Sequence, residues 1–269
     1  MRQTTIEKFE KFDVINLYEK QNISLNKLSD LVKTKPETIS KYLKFKGIKI
    51  LNRGSLGMNK SGKKFNEFVF DKIDSEEKAY WLGFIFADGY ISLKHNVFEI
   101  SLSAKDKEHL EKFNSFMNYK GNNLKFRLCK KLFPVYRWNI RNLHLVKTLN
   151  SLGCKPNKSL ILEFPKKSFI KKSLIRHFIR GYFDGDGCIS TTFRSINLLG
   201  TENMLENIKN YSKIKTKSKL YCKNNSKITK IFQLNSLKAL EFLNFIYKDS
   251  CIYLERKYNK YLEFCRLYK

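Results

Sequence analysis

The chain has 269 residues, enough for one large domain or two ordinary ones with a real core. Its 42% hydrophobic and 14% aromatic content exclude a disordered chain, and 53 Lys and Arg against 25 Asp and Glu give a net charge of +28. That excess points to a polyanionic partner, and to nucleic acid rather than an anionic membrane surface, because no long basic amphipathic helix stands out. No apolar run approaches the roughly 18 residues of a membrane span. No apolar core follows Met1-Arg2-Gln3-Thr4-Thr5, as a signal peptide requires. The expectation is an intracellular protein. Cys129, Cys154, Cys188, Cys222, Cys251 and Cys265 are scattered without metal spacing, so reduced and mostly buried thiols are expected.

Residues 1–50 predict three short helices. The first runs from Phe9 to Lys20, with Phe12, Ile15, Leu17 and Tyr18 as its apolar residues. The second runs from Leu25 to Val32, capped by Ser24. The third follows Thr34-Lys35-Pro36 and runs from Glu37 to Lys46, with Ile39, Tyr42 and Leu43 on one face. A tight turn between the last two suggests a helix-turn-helix. The stretch Leu25 to Ile50 resembles resolvase-like or sigma-like helix-turn-helix domains. Its last helix would then present Thr38, Ser40, Lys41 and Lys44 to a DNA major groove. Residues 51–69 read as a basic linker, whose Arg53, Lys60, Lys63 and Lys64 suit phosphate contacts.

The next segment, Trp81-Leu82-Gly83-Phe84-Ile85-Phe86-Ala87-Asp88-Gly89, is echoed by Ile179-Arg180-Gly181-Tyr182-Phe183-Asp184-Gly185-Asp186-Gly187. Each copy spaces small residues four apart: Gly83 and Ala87, then Gly181 and Gly185. On a helix that makes a flat stripe, across which two backbones can approach closely. Each copy ends in Asp-Gly, and the glycine is expected to stop the helix in the left-handed conformation. An aspartate at a helix C-terminus is badly placed, because that end is partly negative. Packing the two helices together would also bring Asp88 and Asp186 near each other, and a bound divalent metal would reverse both penalties.

The segments between and after these copies repeat with a period of 98 residues, the difference between positions 186 and 88. Strands are expected at 90–94, 97–103, 123–130 and 134–141, with helices at 106–117 and 143–152. The second round predicts strands at 188–194, 195–200, 218–224 and 227–235, with helices at 202–213 and 236–247. Lys125, Arg127, Arg137, Asn139 and Arg141 alternate with apolar residues, as do Lys219, Tyr221, Lys223, Thr229, Gln233 and Asn235. The polar face of each sheet is therefore rich in the side chains that bond base edges, and Glu and Asp are expected to be scarce there. Arg194, at the end of the first strand of the second round, joins this set of candidates.

The two motif copies resemble the paired LAGLIDADG motifs of homing endonucleases. The resemblance covers roughly residues 70 to 269. It implies an α+β fold: a pseudo-two-fold duplicated αββαββα unit with antiparallel DNA-binding sheets, its repeats spanning 70–165 and 166–269. By the same resemblance, Asp88 and Asp186 are the metal-binding acids of two active sites, which share two or three Mg²⁺ ions and cut both strands across the minor groove. The sixth motif position is Phe86 in the first copy and Asp184 in the second, a departure from the family sequence that leaves the metal-binding position intact. Lys158 and Lys257 lie 70 and 71 residues after the respective aspartates. Family members place a basic residue near each scissile phosphate at about that point, so both are candidate catalytic residues. Gln233 is a candidate for positioning water, and Asp184 for a structural or capping role.

Phosphodiester hydrolysis needs an activated water and charge neutralisation, which a carboxylate-held divalent ion supplies. The expected function is therefore a monomeric, site-specific, metal-dependent double-strand DNA endonuclease of the intron-homing kind. Two alternatives stay open on the same scaffold: a catalytically inactive DNA-binding transcription regulator, and an intron RNA maturase. Protein splicing is not expected, because Met1 is not a nucleophile and Arg266-Leu267-Tyr268-Lys269 lacks a His-Asn pair.

Overall fold

The protein was analysed as a computed structural model, which describes residues 3–19, 25–48, 65–129, 133–215, 220–222 and 229–268. The chain divides into two compact units, Met1–Leu56 and Gly57–Lys269. Ser24, Arg53, Lys60, Lys63, Lys64, Lys219 and Lys223 lie outside the described residues.

The first unit contains α1 (Gln3–Lys11), α2 (Val14–Glu19), α3 (Leu25–Val32) and α4 (Pro36–Phe45). The single helix expected over 9–20 is in fact broken. Asp13 sits at φ 46°, a left-handed conformation that a short polar side chain tolerates. The break turns Phe9, Val14 and Tyr18 into one core with Leu28, Val32, Ile39, Tyr42 and Leu43, and leaves Phe12 exposed. Lys33 makes the tight turn at φ 45°, and Pro36 opens α4 where its missing N–H is not needed.

The second unit is a duplication built of mixed helix and antiparallel sheet. Its first repeat runs α5 (Glu76–Asp88), β1 (Gly89–Ser92), β2 (Val97–Ser103), α6 (Lys107–Phe116), β3 (Leu124–Cys129), β4 (Phe133–Arg141), α7 (Leu143–Leu152). The second runs α8 (Ile175–Asp186), β5 (Gly187–Ser190), β6 (Ser195–Gly200), α9 (Glu202–Ser212), β7 (Tyr221–Cys222), β8 (Lys230–Asn235), α10 (Ser236–Tyr247), and adds α11 (Glu255–Arg266). The two four-stranded sheets have matching orders, β1-β2-β4-β3 and β5-β6-β8-β7. This is the αββαββα order expected from the repeat. The extra α11 was not anticipated, although Leu254, Tyr258, Tyr261 and Phe264 recur at helical spacing.

Local chemistry sets the boundaries. Ser75 caps α5 by accepting from Lys78 N at 3.2 Å, and Asn142 caps α7 by accepting from Leu145 N at 2.8 Å. Gly153 ends α7 at φ 115°, where a side chain would be strained. Phe98, Ile100, Trp138 and Ile140 line the inner face of the first sheet, and Ile196, Leu198, Phe232 and Leu234 that of the second. One continuous core joins both repeats. Among the described cysteine side chains Cys154 is buried, as expected, and Cys265 is half-buried. Cys188, Cys222 and Cys251 are exposed, because they sit on an outer sheet face, an edge strand and a loop.

A candidate active site at the paired helix ends

α5 and α8 touch backbone to backbone. A Cβ on Gly83 would fall on the Phe178 carbonyl, and one on Gly181 on the Tyr80 carbonyl, both well inside the 3.0 Å that real Cβ atoms keep. Gly185 faces the Ala87 methyl in the same way, and its Cβ would lie 3.2 Å from Asp88 Oδ2. The small-residue stripe therefore brings the two C-terminal helix ends together, and with them Asp88 and Asp186.

Gly89 and Gly187 do not adopt the left-handed cap expected of them. They are extended, at φ −76° and −86°, and each starts a strand directly. Their reason is steric. A Cβ on Gly89 would lie 2.6 Å from Ile85 O, and one on Gly187 2.5 Å from Phe183 O.

The Asp88 carboxyl keeps an exposed side but is crowded by protein. That partial desolvation, then the Asp186 charge, push its pKa up to about 6, against opposing pulls from Lys257 and Lys158. Both candidate lysines stand at the helix ends. Lys257 Nζ donates to Phe183 O at 2.7 Å and Gly185 O at 3.2 Å. Lys158 Nζ donates to Ala87 O at 3.0 Å and to Gly89 O. Each ammonium thus satisfies terminal carbonyls that a helix leaves without partners. The two are unequal. Lys257 is buried, and burial lowers its pKa to about 8, with Asp184 opposing the shift, whereas Lys158 is half-buried.

The sixth motif position has a structural role in the second repeat. Asp184 is fully buried and accepts from Tyr80 Oη at 2.7 Å, Tyr247 Oη at 2.5 Å and Leu254 N at 2.8 Å. His109 Nε2 lies 3.0 Å from Tyr80 Oη, and since that hydroxyl gives its proton to Asp184, the network assigns the imidazole proton to Nε2. Burial holds His109 neutral, with its pKa lowered to about 3. One turn earlier, buried Arg180 donates to Ile252 O at 2.8 Å, Ile246 O at 3.0 Å and Glu76 Oε1 at 2.6 Å. Together Asp184 and Arg180 pin the 246–254 segment that leads into α11 and Lys257. Their equivalents 98 residues earlier are Phe86 and Leu82, so the first repeat lacks this network. Asp184→Ala is expected to lower stability by about 3–5 kcal/mol in chemical denaturation, because two buried phenols and an amide lose their acceptor. A loss below about 1 kcal/mol would show that the network is dispensable.

The outer face of the first sheet carries Lys125, Arg127, Arg137, Asn139 and Arg141, as expected. One acid, Glu99, lies on the same face, 3.0 Å from Arg137 Nε. Lys125 Nζ donates to Asn139 Oδ1 at 3.3 Å. On the second sheet, Tyr221 and Gln233 join Asp186, Cys188, Asn197, Leu199 and Ile231 around a cleft of about 310 Å³. Asn235 lies on the same face, with Gln233 Nε2 donating to its Oδ1 at 3.4 Å. This face is more apolar than sequence alternation implied, because Leu199 and Ile231 pair across β6 and β8 in register with the outward side. Arg194 is not on the sheet face. It makes the β5–β6 turn at φ 46°, with its guanidinium 5.7 Å from the Tyr268 ring centre. In the first unit, Lys41 and Lys44 are exposed on α4, and Thr38 and Ser40 half-buried.

One site residue escaped the sequence reading. Tyr182 is buried, donates to Leu199 O at 3.0 Å and lies against Asp186, whereas its counterpart is Phe84. The signal was available in the motif alignment itself. No group of three or more His, Cys, Asp or Glu side chains able to hold a metal occurs among the described residues. The donor set at the helix ends is two carboxylates. That suits a hard divalent cation which keeps its waters and completes its shell with substrate oxygens.

No protein-family model matches the chain. Among curated proteins, the replication factor C small subunit of Methanocaldococcus jannaschii is 28% identical over 125 residues. The match takes in 45% of this chain and spans 6% of the length of that relative. In fold the chain is similar to LAGLIDADG proteins. The LAGLIDADG meganuclease I-AabMI bound to uncleaved DNA aligns over 70% of this chain and 88% of its own, with 15% identity and a TM-score of 0.45. The I-SmaMI LAGLIDADG homing endonuclease bound to cleaved DNA aligns over 73% and 89%, with 12% identity and a TM-score of 0.45. Full-length DUF199/WhiA from Thermatoga maritima aligns over 76% and 65%, with 18% identity and a TM-score of 0.46. Among the described residues, no helix is long and apolar enough to cross a membrane.

Proposed function

We propose that the chain is a monomeric, site-specific DNA endonuclease of the LAGLIDADG homing type. The observation that carries this reading is the juxtaposition of Asp88 and Asp186 at two helix C-termini, where burial and mutual repulsion raise the Asp88 pKa to about 6. Two acids held together at negative helix ends destabilise the fold unless a cation joins them. Mg²⁺ held there, as two or three ions shared between two sites, would neutralise a scissile phosphate and lower the pKa of an attacking water.

The chain's own residues do the rest. Lys257, held on helix carbonyls with a pKa of about 8, is poised to hold or release a proton beside the second site, and Lys158 stands on the helix-end carbonyls beside the first. The outer sheet faces, rich in Arg, Lys, Asn and Gln, would read a long duplex. The exposed lysines of α4, with Thr38 and Ser40, would extend the footprint as a helix-turn-helix. Lys257→Met is expected to slow cleavage by about 10²-fold and to remove any rate change between pH 7 and 9, read from single-turnover pH profiles. An unchanged profile would assign Lys257 to helix capping alone.

The test is cleavage of the DNA flanking the chain's own gene, by wild type and by Asp186→Asn, with Mg²⁺ and with EDTA. A Mg²⁺-dependent double-strand break with wild type alone is the expected result. Cutting by Asp186→Asn overturns the assignment, and specific binding with no cut moves the function to a regulator.

A further inference from the structure

α8 is 12 residues long, so its N-terminal end lies about 18 Å from Asp186. A cavity of about 640 Å³ opens at that far end. Lys167, Lys172, Arg176 and Lys213 line it together with the rings of Tyr211 and Phe245, and no carboxylate stands among its described lining residues. The walls are held in place. Phe164 stacks on Tyr211 with ring centres 5.3 Å apart at 19°, and Arg176 Nη2 donates to Lys248 O at 3.3 Å.

A net charge of +28 makes any cavity prone to basic lining, so the equivalent cavity of the first repeat is the natural control. It opens at the N-terminal end of α5 with about 830 Å³. Four lining positions correspond at the 98-residue offset: Ser75 with Ser173, Glu77 with Ile175, Lys112 with Asn210, Ser115 with Lys213. Yet Glu76, Glu77, Glu108 and Glu111 make that cavity acidic. The positive lining at α8 is therefore local and not a background of the whole chain.

Cations at the rim suit phosphate, and aromatic rings in the wall suit a planar base. We propose that this cavity binds a nucleotide unit, its phosphate on Lys172, Arg176 and Lys213 and its base against Tyr211 or Phe245. The unit comes either from a single-stranded nucleic acid or from a free nucleotide. The site is separate from the paired aspartates and does not depend on their cutting DNA.

The full chain is tested by fluorescence anisotropy with labelled oligo(A), as RNA and as DNA, with ATP as competitor. Lys172→Glu combined with Lys213→Glu is expected to weaken oligo(A) binding by about tenfold or more, and to leave duplex DNA binding within about twofold. Lys120→Glu combined with Lys147→Glu makes the same net charge change on exposed residues elsewhere, and should leave oligo(A) binding within about twofold. Displacement by ATP assigns a free nucleotide, and displacement by unlabelled oligo(A) alone assigns a strand. Equal weakening by both double variants overturns the proposal, as does unchanged oligo(A) binding in the first, provided thermal unfolding shows each variant folded. Loss of duplex binding by wild type would instead count against the sheet faces and leave this cavity standing.

Discussion

Asp186→Asn and Asp88→Asn are each expected to reduce double-strand cleavage by at least about 10³-fold while leaving duplex binding intact. In the proposed endonuclease the carboxylate charge would hold the cation against the phosphate, and a contribution of about 4 kcal/mol to the transition state corresponds to that factor. Asp88→Asn should also raise stability, and the sign follows from linkage. Asp88 titrates at about 6 in the folded chain, against an ordinary value of 3.8. The folded state therefore disfavours the charged form. That penalty is fully present above pH 6, shrinks as pH falls, and is gone below about pH 4. Because the side chain keeps an exposed face, screening reduces the effect to about 1 kcal/mol. Urea denaturation of wild type and Asp88→Asn at pH 7.5 and pH 4 reads this directly. A variant less stable than wild type at pH 7.5 would mean that the paired carboxylates do not repel, and would remove the electrostatic argument for a cation.

Gly181→Ala should be strongly destabilising. Its Cβ would overlap the Tyr80 carbonyl oxygen of the partner helix, a backbone atom that cannot swing away as a side chain can. Either α5 and α8 separate along their length, or the helix itself deforms, and overpacking of this kind costs about 3 kcal/mol or more. Gly83→Ala meets the Phe178 carbonyl in the same way and should match it. Gly47 supplies the contrast. It sits at φ +76° with open space where a Cβ would stand, so Gly47→Ala should lose only about 1 kcal/mol from conformational strain. Denaturant midpoints of the three variants check the order. Equal losses at Gly47 and Gly181 would show that the helix contact is looser than the backbone geometry requires.

The features legible in the sequence were those that recur along the chain itself. The 98-residue repeat, the small-residue stripe and the strand alternation all leave local patterns, and from them came the helix pair, the two matching sheets and the meeting of Asp88 with Asp186. What stayed hidden depends on distant partners. Arg180 looks like an ordinary polar residue of a helix, and Asp184 like a structural or capping acid with no named partner, until Glu76, Tyr80 and Leu254, 70 to 104 residues away, close around them. Ile231 shares the outward side of Gln233 and Asn235, but that Leu199 stands directly opposite it follows from the β6–β8 register, which neither strand encodes alone. The break at Asp13 was missed because apolar spacing continues across it, and the helical period carries no information on one left-handed residue.

The dependence of α5 on α8 also bears on how the chain is made. In α5, residues Ala79 to Phe86 are buried, and the backbone of that helix is shielded largely by a partner whose sequence lies 98 residues later. At synthesis rates of about 5–20 residues per second, the second helix leaves the ribosome some 5–20 s after the first. Through that interval the face of Tyr80, Gly83, Phe86 and Ala87 that meets the second helix has no permanent cover. The first repeat is thus an unfinished half in the nascent chain, open to chaperones and to pairing with the wrong helix, until its sequel arrives.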